Sequence, residues 1–208
     1  MVEGEVRCTQ GIDMSAMPKE RGTQQLIGKK GELFVLGELL QRGFAPYVPL
    51  VDVDGVDALV PIASGVVLKL QVKTVATTNR PRWFQIRSVP QDKYFFILGL
   101  EMQDTKPGDV WILPASVFDR YANRPPKGTP RDLDLDTTRR GDIQPLKDIL
   151  SGFRNRWELL ADFGKYEDLL DYPEDLADLL AAKEALEAPE EEAVSIEQYE
   201  QGRFGVRG

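Results

Sequence analysis

The chain is 208 residues long with one cysteine and no histidine, which excludes disulfide frameworks, thiolate or imidazole zinc sites and any catalytic triad that needs a histidine base. Its formal charge of −8 belongs to the C-terminal end: Gly164 to Gly208 holds 13 acidic and 4 basic residues, net −9, against 21 acidic and 22 basic, net +1, from Met1 to Phe163. No run approaches the roughly 18 apolar residues of a membrane span and the start lacks a signal-peptide pattern, so a cytoplasmic protein with no membrane partner is expected.

In chain order, residues 1–16 have no periodicity. Helical pattern begins near Pro18, strengthens from Gln24 to Gln41 and stops at Gly43, a favoured helix-ending residue. Short strands are predicted over Ala45–Val51, Val56–Ile62 and Val66–Thr74, the last two joined as a hairpin by Ala63-Ser64-Gly65. Further strands read at Trp83–Ser88, Tyr94–Leu100 and Val110–Leu113, the second apolar enough for the middle of a sheet. Ser116 is placed to cap a short helix through Tyr121. Asn123–Arg140 reads as a long loop with a short strand near Leu133–Asp136, and Asp142–Phe163 returns to helix. The composition changes at Gly164, so the expected division is a domain at residues 1–163 and an acidic helical or extended tail at 164–208. In that tail Leu176, Leu179, Leu180 and Leu186 form one apolar stripe.

Polar side chains interrupt the apolar pattern at four positions. Glu32 stands four, seven and eight residues before Leu36, Leu39 and Leu40, which puts a carboxylate on the helix's apolar stripe. Without a partner that costs several kcal/mol, so Glu32 should meet a cation, a metal or strong donors; a glutamate at the stripe's edge reaching solvent is the plain alternative. Alternation along VDVDGVDALV sets Asp57 at the mouth of a strand, while Asp52 and Asp54 fall in the preceding turn. Along VVLKLQVKT, Val66, Leu68, Leu70 and Val72 face one way and Val67, Lys69, Gln71 and Lys73 the other. An ordinary half-exposed strand gives the same pattern. If the hairpin and the helix converge, Glu32, Asp57, Gln71 and Lys73 compose the set a metal-dependent phosphodiesterase needs: oxygen ligands for a hard divalent cation and a lysine beside the phosphate.

The order helix Glu32, then Gly55-Val56-Asp57, hairpin, then Gln71-Val72-Lys73 resembles the PD-(D/E)XK nuclease superfamily, in the branch with glutamine for the usual acid of the last motif, which includes certain group I intron homing endonucleases. The resemblance spans Leu26–Thr74, and Asn155-Arg156-Trp157-Glu158-Leu159-Leu160 is similar to the closing helix of such domains. It implies an α/β fold: a restriction-endonuclease-like mixed central sheet flanked by helices. It also implies a Mg2+- or Mn2+-dependent endonuclease of homing, restriction or defence type, with Asp57, Gln71 and Glu32 as metal ligands and Lys73 as the catalytic lysine. Val56 replaces the usual proline, and neutral Gln71 leaves open a member that does not cleave. The alternatives are a Holliday-junction-resolvase-like nuclease and a non-cleaving DNA- or protein-binding member of the fold.

DNA is the expected partner. Lys29 and Lys30 before Glu32, Arg80 and Arg82 after the Q-x-K strand, and Arg124 and Lys127 in the long loop are the candidate phosphate contacts. Arg120, Arg131, Arg139 and Arg140 extend the second basic stretch. Two cuts in a duplex need two sites, so a homodimer or higher homo-oligomer is expected. The acidic tail opposes DNA, so it should fold away from the binding face, compete for it as an autoinhibitor or engage a protein partner; it faintly resembles the partner-binding tails of bacterial antitoxins, but a solvated amphipathic helix packing on its own domain or a sister subunit is the favoured reading.

Overall fold

The computed structural model describes residues 19–51, 55–63, 65–77, 83–103, 106–126, 129–138 and 144–187, the backbone alone for residues 19–24 and 83. A four-stranded sheet organises the fold in the order β1 (Ala58–Pro61), β2 (Val67–Ala76), β4 (Phe95–Gln103), β5 (Lys106–Pro114). β3 (Trp83–Ile86) pairs separately with β6 (Arg131–Asp134) in a two-stranded ribbon. β2 runs parallel to β4 and every other pair is antiparallel, so the sheet is mixed, as expected. Its centre is the strand the sequence marks as most apolar. From Phe95 to Met102 every residue of β4 is buried, which requires cover on both faces.

Helix α1 (Lys19–Gln41) supplies part of that cover by turning Gly31, Val35 and Leu39, four residues apart, onto β2 and β4. Gly31 is what allows the close approach, because a Cβ there would overlap the Thr74 side chain of β2. The Thr74 hydroxyl beneath it is buried without a hydrogen-bond partner among the described residues. Placing Gly31 innermost brings its neighbour Glu32 to the polar edge of β2. The helix ends as predicted: Gly43 takes φ +83° while Phe44 N–H donates to Leu39 O at 3.0 Å.

The apolar stripe of α1 differs from the one read in the sequence. Val35 and Leu39 face the core, whereas Leu26, Leu33 and Leu40 are exposed on the opposite side. The helix carries apolar residues on two faces, and periodicity cannot rank them.

Predicted strand Ala45–Val51 reduces to a single bridge between Tyr47 and Leu59, because Pro46 and Pro49 have no N–H to continue a ladder. Helix α2 (Ala115–Tyr121) is capped at Pro114 with no side-chain bond, and Ser116 donates its hydroxyl to Leu170 O instead. The helix predicted over residues 142–163 is broken into α3 (Leu146–Ile149), a 3-10 turn at Ser151–Phe153, α4 (Glu158–Ala161) and α5 (Phe163–Tyr166). Asn155 causes the main break: it adopts φ +56°, its N–H donates to Val110 O at 2.7 Å and its Oδ1 accepts Val110 N–H at 2.9 Å. A helix cannot continue while its backbone is bonded to the edge of β5.

The composition change at Gly164 is not matched by a break in packing. Phe163, Tyr166, Leu170, Leu176 and Leu180 belong to the same buried cluster as the sheet. Helix α6 (Pro173–Glu187) lies on the 3-10 turn, where a Cβ at Gly152 would overlap Leu180. Of the leucine stripe read in this helix, Leu176 and Leu180 are buried and Leu179 and Leu186 exposed. Residues 188–208 lie outside the described residues. None of the described helices is long and apolar enough to cross a membrane.

Candidate active site

The β1–β2 hairpin fixes the site through one aspartate. Its register pairs Ala58 with Leu70, so the ladder would continue to Asp57 opposite Gln71. Asp57 N–H does donate to Leu70 O at 2.8 Å, and its carboxylate then replaces the next ladder bond, with Oδ2 accepting Val72 N–H at 2.7 Å. No hydrogen bond from the described residues reaches Oδ1. Gly55, at φ +73°, brings the chain in against the Gln71 amide, which a Cβ at this position would overlap. Glycine is required here on both counts.

Asp57, Gln71 and Lys73 line one cleft, about 1030 Å³ in volume, with Gly55, Gln85, Arg87, Ser88, Pro90 and Pro130. The alternation read in β2 is kept: Leu68, Leu70 and Val72 are buried, and Gln71 and Lys73 face the cleft. Lys69 shares their side of the strand but is held by Asp92 at 2.8 Å.

Electrostatics tie Glu32 to the same place. Burial pushes the Asp57 carboxyl above its ordinary value; the Val72 amide opposes that shift, the Glu32 charge adds to it, and Lys73 and Lys29 oppose it. Glu32 is itself paired with Lys29 at 2.6 Å, and that pair raises the Lys29 ammonium. Glu32 does not line the cleft, but its carboxylate and that of Asp57, on separate elements, repel, with Lys29 and Lys73 in range.

The oxygen groups here are the uncommitted Asp57 oxygen and the Gln71 side-chain carbonyl in the cleft, with the Glu32 carboxylate in electrostatic range of Asp57, and oxygen groups of this kind suit a hard divalent ion. The fit is lean, because no group of three or more His, Cys, Asp or Glu side chains gathers among the described residues. Asp52 and Asp54 are outside the described residues.

Of the basic candidates, Lys29 pairs with Glu32 and is in electrostatic range of Asp57 without lining the cleft. Lys30 is exposed and lies between Leu26 and Leu33 on the outer face of α1. Arg124 lines a neighbouring cleft that shares Arg87 and Ser88 with this one. Arg80, Arg82 and Lys127 are outside the described residues, as are Arg139 and Arg140. Arg120 pairs with Glu174 and Arg131 with Asp119, which gives both structural work. Gln85 and Arg87 were not singled out from sequence, although the signal was present: in WFQIRS they alternate with Phe84 and Ile86, both of which are buried. Gln85 Nε2 donates to Asp132 Oδ1 across the ribbon at 2.8 Å.

Fold and site together define a mixed α/β domain with a carboxylate, amide and lysine cleft at a hairpin, and no protein-family model and no curated relative matches it. Among solved structures, a bacterial homing endonuclease, I-Ssp6803I, is similar over 69% of this chain and 97% of that one, with TM-score 0.49 and 18% sequence identity. No residue role is carried over from that likeness.

Proposed function

We propose that the chain is a metal-dependent DNA endonuclease of the PD-(D/E)XK kind, hydrolysing phosphodiester bonds with Mg2+ or Mn2+. The observation that carries this reading is the Asp57 carboxyl, raised by burial and by Glu32, in a cleft shared with Gln71 and Lys73. A carboxylate held at such cost is relieved by a cation. Asp57 through Oδ1, Gln71 through its side-chain carbonyl and Glu32 are the residues that would hold the ion, which when bound polarises the scissile phosphate and acidifies water. Lys73 faces the charge that develops on the phosphate, and Arg87 and Lys29 flank it as backbone contacts.

The test is nicking of supercoiled plasmid with Mg2+ or Mn2+, run beside Lys73→Ala and repeated on branched and linear duplexes. Loss of one positioned charge of this kind costs about 10²–10³ in rate. Equal nicking by both proteins means a contaminating nuclease and removes the enzyme reading. Preference for branched DNA selects a junction-resolving enzyme over a homing, restriction or defence type. The lean donor set supports a second reading, a non-cleaving DNA-binding member of the fold, which predicts binding with no cleavage in either metal.

Arg87→Ala is expected to weaken DNA binding on every sequence and to lower the slope of log affinity against log salt by about 1, the release of one phosphate contact. Fluorescence anisotropy across a salt series measures it, and an unaltered slope takes Arg87 out of the phosphate path.

A further inference from the structure

Two helices expose matching apolar stripes. On α1, Leu26, Leu33 and Leu40 recur every seven residues, 56–61% exposed, on the side away from the sheet. On α6 the recurrence is Tyr172, Leu179 and Leu186, from 39% exposed at Leu179 to 87% at Leu186. Tyr172 precedes the helix and accepts its Leu176 N–H at 3.0 Å, so it keeps helical spacing. Each stripe is three heptad positions long, the period that seats one helix along another.

The residues between the leucines also match. Lys30 lies between Leu26 and Leu33, and Asp175 between Tyr172 and Leu179; both are exposed and neither has an ion-pair partner among the described residues. One heptad further on, Gly37 lies between Leu33 and Leu40, with open space where its Cβ would be, and Ala182 between Leu179 and Leu186. Set side by side in the same direction, the helices bring apolar against apolar, Lys30 against Asp175 and Gly37 against Ala182. The opposite direction puts Lys30 on Ala182 and leaves Asp175 on Gly37.

We infer that these faces form a contact between two copies of this chain, with α1 of one protomer lying parallel to α6 of its partner. The charge complementarity selects a second copy as occupant, since the surface matching α1 is on the chain itself. Because the faces are unlike, two copies using both contacts close a two-fold dimer, and one contact per copy builds rings or chains. The inference concerns association alone and stands apart from the nuclease reading.

Sedimentation velocity on the full chain over a concentration series, without DNA or added metal, tests it. Self-association is expected, with Leu33→Asp and Leu179→Asp each raising the dissociation constant about tenfold or more. Lys30→Glu and Asp175→Lys should each weaken association, and the double variant Lys30→Glu/Asp175→Lys should recover most of the loss; far-UV circular dichroism checks that each variant is folded. A native chain that stays monomeric overturns the inference. So does association unaffected by Leu33→Asp, or a double variant as weak as the two single losses added together.

Discussion

Asp57→Asn is expected to melt above the native chain at neutral pH in the absence of metal and to cut DNA about 10³-fold more slowly. Asparagine keeps an oxygen to accept the Val72 N–H, so the hairpin bond survives. What disappears is a charge held against burial and against Glu32, with Lys73 and Lys29 compensating only in part. The sign follows from the direction of the shift. A carboxyl whose folded-state pKa is raised holds its proton more tightly in the folded protein; its contribution to stability is full below the unfolded value and is lost as pH rises through the folded one. The native chain should therefore lose stability relative to Asp57→Asn as pH climbs from acid to neutral, and the two should converge in acid. Each kcal/mol relieved shifts the midpoint by about 2–4 °C for a chain of this size. Saturating Mg2+ should reverse the order: at a hundred times its dissociation constant it adds about 2.7 kcal/mol to the native chain and little to the variant. Melting curves over pH, with and without Mg2+, measure all of this. Parallel curves for the two proteins would mean that Asp57 carries no strain and binds no ion.

The parts of this site that were legible in the sequence are those set by local period. Alternation along β2 separated Gln71 and Lys73 from Leu70 and Val72, and the Gly55-Val56-Asp57 turn marked where β1 begins. The uninterrupted apolar run of β4 identified the central strand. What stayed hidden depended on partners distant in sequence. Leu33 and Val35 look equivalent in a one-dimensional pattern, and only the approach of Gly31 to Thr74 decides which faces the core. Asn155 is an ordinary helix-interior residue until Val110 comes within bonding distance. Arg87 carried the right alternation, yet nothing local says that the β3–β6 ribbon folds over beside Asp57.

Gln71→Glu is the second large effect, and it runs in the opposite direction. The residue is the same size, so the new carboxylate takes the place of the amide that lies against Gly55. Two unit charges about 4 Å apart interact by about 4 kcal/mol at an effective dielectric of 20, and more with a dication; desolvation returns most of that gain. The net expectation is a divalent-ion affinity raised about tenfold, or about 1.4 kcal/mol, with cleavage persisting at lower Mg2+ than the native chain needs. The metal-free variant should melt lower, because a third carboxylate joins Asp57 and Glu32 and pushes the Asp57 carboxyl higher still. Calorimetric titration with Mn2+, beside melting curves without metal, separates the two effects. Unaltered Mn2+ affinity would take Gln71 out of the ligand set, and with it the assignment of this branch of the fold.

The bond from Val72 to Asp57 has a wider consequence. The same carboxyl group closes the β1–β2 ladder with one oxygen and offers the other to the cleft, so strand register and ligand position are a single degree of freedom. A slip of the hairpin by one residue would carry Asp57 to the other face of the sheet, along with the core residues Ala58 and Val60. The Asp57 carboxylate keeps its place in the cleft as long as the sheet stays intact. Its alignment is set by the most deeply buried part of the molecule and not by the surrounding loops.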